Sequence, residues 1–156
     1  MKKFDKLPPT WSQKLDSTDG DSMTGCSSSR FECVMDGEAV LDKETGLTWA
    51  KDANIVAATK TWQNAMSYCR NLSIADRKGW RLPTVEELAS LVDTTQDNPA
   101  LPSGHPFVNV QSDFYWSSTA YEYHPDVAWG VGMYGGGVYV DDKGNRYYVW
   151  PVRSDN

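Results

Sequence analysis

The residues best suited to covalent or metal chemistry in this 156-residue chain are its three cysteines. Cys26 and Cys33 flank residues 27–32, a spacing that could close a small disulfide loop. Cys69 follows Trp62 and Ala65 at helical spacing, which predicts a buried thiol. No Cys-x-x-Cys motif or histidine cluster accompanies these residues, so we expect no metal site and no cofactor.

The histidines, the paired glutamates and the glycine run lack the neighbouring residues that catalysis or phosphate binding requires. His105 and His124 lie in no recognisable nucleophile motif with Ser or Cys. Glu86 and Glu87 begin a predicted helix, where a favourable interaction with the helix dipole explains them better than acid–base chemistry. The glycine run 135–137 is not followed by the Lys-Ser or Lys-Thr of a phosphate loop. We therefore expect that the protein is not an enzyme.

The net charge and the distribution of apolar residues argue against several classes of binding partner. The formal net charge is −6, from 15 Lys plus Arg against 21 Asp plus Glu, which argues against nucleic acid, an anionic membrane surface or a heavily sulfated glycan as the partner. No apolar run is long enough to span a membrane, and residues 1–10 carry lysines without the hydrophobic stretch of a secretion signal. Either a signal was removed or the protein leaves the cell another way, for example in a virion. We expect a cell-surface, extracellular or virion-associated protein.

The stretch 79–92 predicts an extended arm followed by a helix with one buried side. Pro83 disfavours helical backbone at the residue before it and so ends an extended arm. Thr84 and Glu87 have the spacing of a capping box, which predicts a helix starting at Thr84. Its apolar residues fall on one face and predict a buried side: Val85, Leu88, Leu91 and Val92. Trp80, directly before the helix, is expected to be a packing anchor.

A second helix precedes this stretch. Thr61 is a suitable N-cap, and apolar residues follow at helical spacing over 62–72. Residues 93–113 contain too many Pro, Asn and Gly residues for regular structure and predict a long loop. Two early helices and a strand-rich end predict an α+β fold, with both helices packed on one mostly antiparallel, twisted sheet.

The N-terminal part divides into an arm and a first strand. Residues 1–33 are mostly polar with little periodicity and predict an arm or loop, so the domain is expected to span 34–154. Residues 34–41 predict a first strand that turns at Asp36-Gly37. Residues 43–46 predict a second turn, after which the chain re-enters the core.

The C-terminal third predicts a ligand-display region over 115–148, followed by a closing strand over 147–152 that contains a packed Trp150. Side chains alternate between the faces of a strand, and the inward set would be Trp129, Val131, Met133, Val138 and Val140. The outward set would be Tyr121, Tyr123, His124, Asp126, Gly130, Gly132, Tyr134, Tyr139, Asp141, Asp142, Asn145, Arg146 and Tyr147. Tyr, Asp, Asn, Arg and Gly are the residues of a paratope, so we expect these thirteen to bind a ligand. Alternatively, the tyrosines only cover neighbouring strands of a half-buried sheet.

Several motifs occur in the order found in a known family. They are Thr45–Trp49, Trp62–Cys69, the run Gly-Trp-Arg-Leu-Pro-Thr-Val-Glu-Glu-Leu at 79–88, Tyr115–Thr119, Ala128-Trp129 and Val149–Arg153. From about Val40 to Arg153 the chain resembles a bacterial and phage family of C-type-lectin-like fold, typified by the C-terminal domain of a collagen-like adhesin. The resemblance implies that fold. Fold relatives that generate formylglycine use a pair of active-site cysteines, and calcium-dependent lectins use a Glu-Pro-Asn-like triplet, but neither feature occurs here.

A subclass of this family makes the expectation sharper. Its members in phages, bacteria and archaeal viruses are diversified by retroelements, which randomise adenines and so convert Asn codons into Tyr, Asp, His, Gly, Val or Arg codons. The segment 115–153 is similar to such a variable region. The resemblance implies a receptor or adhesin that binds a protein or cell-surface target. The alternatives are a glycan adhesin, for which sulfated polysaccharides are the family precedent, and a structural envelope or tail module.

Overall fold

A computed structural model describes Cys26 and residues 28–154. In this part of the chain the fold is α+β, with two helices and seven strands in two antiparallel sheets. The elements in chain order are β1 (Phe31–Val34), β2 (Ala39–Asp42), β3 (Leu47–Ala50), α1 (Trp62–Asn71), α2 (Val85–Ala89), β4 (Phe114–Ala120), β5 (Val127–Gly132), β6 (Gly137–Asp142) and β7 (Val152–Ser154). The single sheet predicted from the sequence is wrong, because the strands divide into two sheets. Most of the predicted arm over 1–33 lies outside the described residues, and its boundary with the domain falls inside β1.

The first sheet has the order β1-β2-β3-β7 and is antiparallel throughout. The predicted turn between β1 and β2 is confirmed, since Asp36 and Gly37 both have positive φ angles. The second predicted turn ends at Gly46 with φ near +80°, a conformation that glycine adopts without steric cost. A disulfide joins Cys26, which precedes β1, to Cys33 within that strand.

The second sheet has the order β4-β5-β6. After β6 the chain returns along the outer edge of β4. There the Trp116 N–H donates to the Tyr148 carbonyl at 3.0 Å, and the Tyr148 N–H donates to the Phe114 carbonyl at 3.1 Å. The predicted closing strand over 147–152 is therefore wrong in its bounds. Its first half extends along β4, and only Val152–Ser154 forms a strand of the first sheet.

The helix starts follow the sequence prediction. The Thr84 hydroxyl accepts from the Glu87 N–H at 3.1 Å, and the Glu87 carboxylate accepts from the Thr84 N–H at 2.9 Å, which confirms the capping box. The helix α2 is short but buries Leu88 completely. Thr61 is the N-cap of α1, although its side chain makes no cap hydrogen bond.

The interior consists of two aromatic clusters on opposite sides of β4. In the first, Trp150 contacts Trp49, Phe107 and Tyr115 with ring centroids 4.9–5.6 Å apart. In the second, Phe114 and Trp116 pack against α1. Neighbouring residues of β4 point to opposite faces, so the second sheet is covered on both sides near β4 and β5. The tertiary support weakens towards β6, whose residues are half-buried or exposed.

Candidate binding surface

The thirteen residues predicted to bind a ligand fall into three classes of exposure. The exposed members are Tyr123, His124, Asp126, Tyr134, Tyr139, Asp142, Asn145 and Arg146. The half-buried members are Tyr121, Asp141 and Tyr147. Gly130 and Gly132 are buried.

The outward placement predicted for the two glycines is wrong. A Cβ atom on Gly130 would collide with the Tyr115 carbonyl oxygen and the Phe114 ring. A Cβ atom on Gly132 would lie 2.6 Å from the Tyr134 ring. Gly130 requires glycine because the Tyr115 carbonyl and the Phe114 ring lie directly on its backbone, whereas a side chain at Gly132 would displace the Tyr134 ring. These residues provide space for the surface but no side chain to it.

Two tyrosines form a stacked pair on the same face of the sheet as these glycines. The rings of Tyr134 and Tyr139 are nearly parallel, with centroids 6.4 Å apart and an interplanar angle of 18°. The Tyr139 ring also lies over Gly137, which pairs with Gly132 across β5 and β6. The two tyrosines remain 42% and 47% exposed respectively, so the pair offers a flat aromatic area to a ligand.

A second aromatic group lies on the other face. The Tyr121 ring makes edge contacts at 5.5 Å with both Tyr123 and Trp129, and Tyr123 is 77% exposed. Trp129 pairs with Val140 in the register of β5 and β6, which puts both on the face opposite Tyr139. The core position predicted for Trp129 is wrong, since it is only half-buried and belongs to neither interior cluster.

The two valines of β6 are the surface residues that the sequence did not identify. Val138 and Val140 were predicted to face inward, but they are 43% and 37% exposed. The reason is that β6 is an edge strand and neither helix covers its outer part. An apolar–polar alternation indicates which side chains share a face, but it does not indicate whether another element covers that face.

Asp141 and Tyr147 fix the far end of the surface. The Tyr147 hydroxyl donates to the Asp141 carboxylate, which also accepts from the Asn145 amide at 3.0 Å and from the Asp142 N–H at 2.7 Å. The hydrogen bond from Tyr147 lowers the pKa of Asp141, and the same bond raises the pKa of Tyr147 to about 12. The Tyr147 ring packs on Phe114 at 4.6 Å, so Tyr147 joins the surface to the second interior cluster.

The cations beside this surface are already engaged. The Lys143 ammonium donates to the Pro125 carbonyl at 2.7 Å and lies 4.3 Å from the centre of the Trp62 ring. Arg146 donates to the Thr59 carbonyl at 2.7 Å. The exposed carboxylates of Asp126 and Asp142 make no ion pair among the described residues. The four carboxylates of this region outnumber its two cations, so the surface is net negative beside its aromatic rings: Glu122, Asp126, Asp141 and Asp142 against Lys143 and Arg146.

Among the residues with reactive side chains, His124 is an exposed member of this surface, whereas Cys69 and His105 lie elsewhere. Burial raises the pKa of the Cys69 thiol to about 12 and lowers the pKa of His105. Across the described residues, no three His, Cys, Asp or Glu side chains gather in a way that could hold a metal ion. A separate open groove of about 420 Å³ runs along α1 and is lined by polar groups that include Asn64, Ser67 and Asn71.

Comparison with known proteins places the chain in context. The model of the family described as the Lcl C-terminal domain matches residues 38–153, nearly the same stretch that carries the sequence resemblance. No curated protein matches the chain. None of the helices among the described residues combines the length and the apolar character needed to cross a membrane.

Proposed function

The chain belongs to the Lcl C-terminal domain family, and from this premise we propose that it is a receptor or adhesin domain that binds a protein or cell-surface ligand. The binding surface comprises the stacked Tyr134 and Tyr139, the Tyr121–Tyr123 group and the β6 strand between them. The domain acts outside the cell or on a virion. Binding, not catalysis, is its activity.

The clustering of exposed apolar side chains carries this proposal. Among the described residues, the large hydrophobic side chains that remain exposed are Val108, Tyr123, Tyr134, Val138, Tyr139 and Val140. All except Val108 come from one hairpin and the loop before it. Exposed apolar side chains that gather in one part of a protein next to polar residues are characteristic of a binding site, whereas isolated ones are common on any protein.

The finer proposal is that a retroelement diversifies this surface, on a scaffold of C-type-lectin-like fold. The support is the separation of roles: the exposed tyrosines contact each other and glycine backbone, whereas Trp116, Trp150 and Val131 are fully buried. Substitution at the exposed positions would change the ligand without disturbing either interior cluster. A near-copy of the coding segment for 115–153, differing at adenines and adjacent to a reverse transcriptase gene, would support diversification. A genome that contains neither would leave a fixed adhesin.

The glycan alternative has one observation in its favour. The groove along α1 offers amide and hydroxyl groups next to the Tyr68 ring, a combination that suits a sugar. The charge of the groove favours a sulfated polysaccharide less, because Lys60 is the one cation among the described residues that line it and the whole chain carries a net charge of −6. A glycan hit that depends on Tyr68 and not on Tyr139 would favour this alternative.

The test uses the whole chain as the probe on two supports: a glycan array and a phage library that displays short random peptides and folded protein domains. The double variant Tyr123→Ser with Tyr139→Ser should no longer bind the peptides or protein domains that the unmodified chain binds. The matched control Tyr68→Ser, which removes a tyrosine from the groove instead, should retain them. Hits that survive the double substitution and disappear in the control would contradict the proposal.

A further inference from the structure

The backbone N–H and C=O groups of β6 point alternately towards β5 and away from the sheet. The Lys143 N–H donates to the Asp126 carbonyl at 2.8 Å, which fixes the alternation of the antiparallel ladder between β5 and β6. In such a ladder, every second residue directs both of its backbone groups to the partner strand. Tyr139 therefore bonds to β5, while the N–H and C=O groups of Val138 and Val140 point away from the sheet. None of these four groups has a hydrogen bond among the described residues.

The other edges of the two sheets are closed over part of their length, and Cys33, the outward-pointing residue of β1 with no backbone partner among the described residues, is buried and held by its disulfide to Cys26. On β1, the Ser28 N–H donates to the Phe31 carbonyl at 2.8 Å, and the Ser28 hydroxyl accepts from the Phe31 N–H at 3.0 Å. On β4, Tyr148 occupies the outer edge. On β7, Arg81 and Val152 exchange two backbone hydrogen bonds at 2.8 and 2.9 Å. β6 differs from all three.

The open section of β6 has a defined end. The Asp142 N–H donates to the Asp141 carboxylate at 2.7 Å, and the Asp142 carbonyl accepts from the Asn145 N–H at 3.0 Å. The free part is thus 138–140, which contains no lysine, proline or bulge to discourage pairing. Proteins commonly protect an exposed edge with such features, so an unprotected apolar edge is a template for another strand.

A ligand that contacts both aromatic groups of the surface must reach both faces of the sheet. Tyr134 and Tyr139 lie on one face, and Val138, Val140 and Trp129 lie on the other. A strand added to β6 would direct alternate side chains to each face. We propose that the outer edge of β6 receives an extended segment of a protein partner, which becomes the fourth strand of the second sheet. This inference rests on the proposed function and specifies the form of its ligand.

Charge indicates the composition of that segment. The partner strand passes the exposed carboxylate of Asp142 at the end of β6, Asp126 lies one strand further in, and the nearby Lys143 ammonium already contacts the Pro125 carbonyl and the Trp62 ring. A segment with Lys or Arg near this end and β-branched or aromatic residues along β6 complements the edge. A second copy of this chain fits less well, because each copy carries a net charge of −6.

The test removes one open donor without touching the inner ladder. Val140→Pro deletes an N–H that points away from β5, a position where an edge strand tolerates proline. Val140→Thr is the matched control, because it keeps the N–H and the β-branched shape. The probes are short linear peptides selected from a random phage library on the unmodified chain, then synthesised with and without N-methyl groups at alternate positions.

We expect Val140→Pro to weaken peptide binding at least about tenfold through the lost hydrogen bond and the blocked edge, and Val140→Thr to leave it within about threefold. N-methylation of one alternate set of peptide amides should abolish binding, while the other set tolerates it. This second readout decides the question if the proline variant fails to fold.

Three results would overturn the inference. Peptides that bind Val140→Pro as well as the parent, yet lose affinity on Tyr123→Ser with Tyr139→Ser, would leave the proposed function in place and exclude a strand partner. Failure of every linear peptide to bind, with folded domains or glycans binding instead, would do the same. If the chain forms a dimer that Val140→Pro dissociates, the occupant of the β6 edge is a second copy of the chain and not a segment of another protein.

Discussion

Buried and exposed aromatic residues in this protein are held in different ways. Three of the buried rings are anchored to backbone carbonyls, although Trp49 is not: the Trp150 Nε1–H donates to Ala50, the Trp116 Nε1–H to Lys60 and the Tyr115 hydroxyl to Ala53, each at 2.9 Å. Within the described residues, the hydroxyls of Tyr123, Tyr134 and Tyr139 make no such bond. The first group connects separate elements, whereas the second contacts mainly other rings and glycine backbone.

This difference separates stability from recognition. An anchored ring connects strands that are distant in the sequence, so its loss affects the whole fold. An unanchored ring contributes contact area that a ligand can use, and its loss affects little besides binding. If the division is real, substitutions should rank by burial and anchoring rather than by residue type.

The largest effect is expected for Trp150→Ala. Trp150 is fully buried among Trp49, Phe107 and Tyr115, and truncation of a large core aromatic costs about 3–5 kcal/mol. Urea denaturation followed by circular dichroism measures this free energy of unfolding. Trp150→Phe keeps a ring but loses the bond to Ala50, so it should fall between the parent and Trp150→Ala. A cost below about 1 kcal/mol for Trp150→Ala would break the comparison.

A buried ion pair should have the next largest effect. Arg30 forms two hydrogen bonds with the buried carboxylate of Asp42, at 3.0 and 2.8 Å, and one with the Ser90 carbonyl at 2.8 Å. Burial acts to raise the pKa of Asp42, but the hydrogen bonds from Arg30 and from the Glu44 N–H outweigh it, so the pKa is lowered. Asp42→Asn should cost about 3 kcal/mol, the lower end for a broken buried pair, since Arg30 retains 18% exposure.

The sign of the pH dependence follows from this lowered pKa. Asp42 contributes stability that is present above its unfolded pKa of about 3.9 and is lost as the pH falls through the folded pKa. The urea midpoint of the parent should therefore fall in acid, and that of Asp42→Asn should fall less. Glu44→Gln is the control, because Glu44 is 67% exposed and 3.5 Å from Arg30, so it should change stability by less than about 0.5 kcal/mol. Parallel pH profiles for the parent and Asp42→Asn would contradict this assignment.

The anchored region is also the part that the sequence predicted best. Both helix starts, the turns at Asp36-Gly37 and Gly46 and the burial of Trp150 depend on residues close together in the chain or on residue types that are rarely exposed. Short-range spacing is sufficient to identify such features. The division into two sheets was missed because strand pairing joins residues that are far apart in the sequence.

The display region was predicted less accurately for a related reason. Val138 and Val140 alternate with polar neighbours as a half-buried strand would, and nothing local indicates that β6 lies at an edge. The alternation along β5 predicts that Gly130 and Gly132 face outward, but the rings of Phe114 and Tyr134, which the local pattern does not reveal, cover them. The sequence therefore identified the composition of the surface, and the structure was needed to show its two faces.

Trp129 tests the boundary between the two regions. Its ring is half-buried and contacts Tyr121, so Trp129→Ala should cost about 1–2 kcal/mol, well below the value for Trp150. Tyr121→Ala and the double substitution complete a cycle, whose coupling should be about 0.5–1.5 kcal/mol for an edge-to-face pair. Equal costs for Trp129→Ala and Trp150→Ala would show that the outer sheet is as rigidly built as the interior.

Tyr139 should show the smallest effect on stability and a large one on binding. Its ring stacks on Tyr134 and covers Gly137, contacts that are worth at most about 1 kcal/mol at this exposure. Tyr139→Ala should therefore leave the thermal midpoint within a few degrees of the parent and weaken selected ligands at least about tenfold, as expected for a central aromatic contact. Tyr139→Phe keeps the ring and should retain most of both properties. A midpoint lowered as far by Tyr139→Ala as by Trp129→Ala would show that the Tyr139 ring stabilises the sheet. The alternative, that the tyrosines only cover neighbouring strands, would then be the better interpretation.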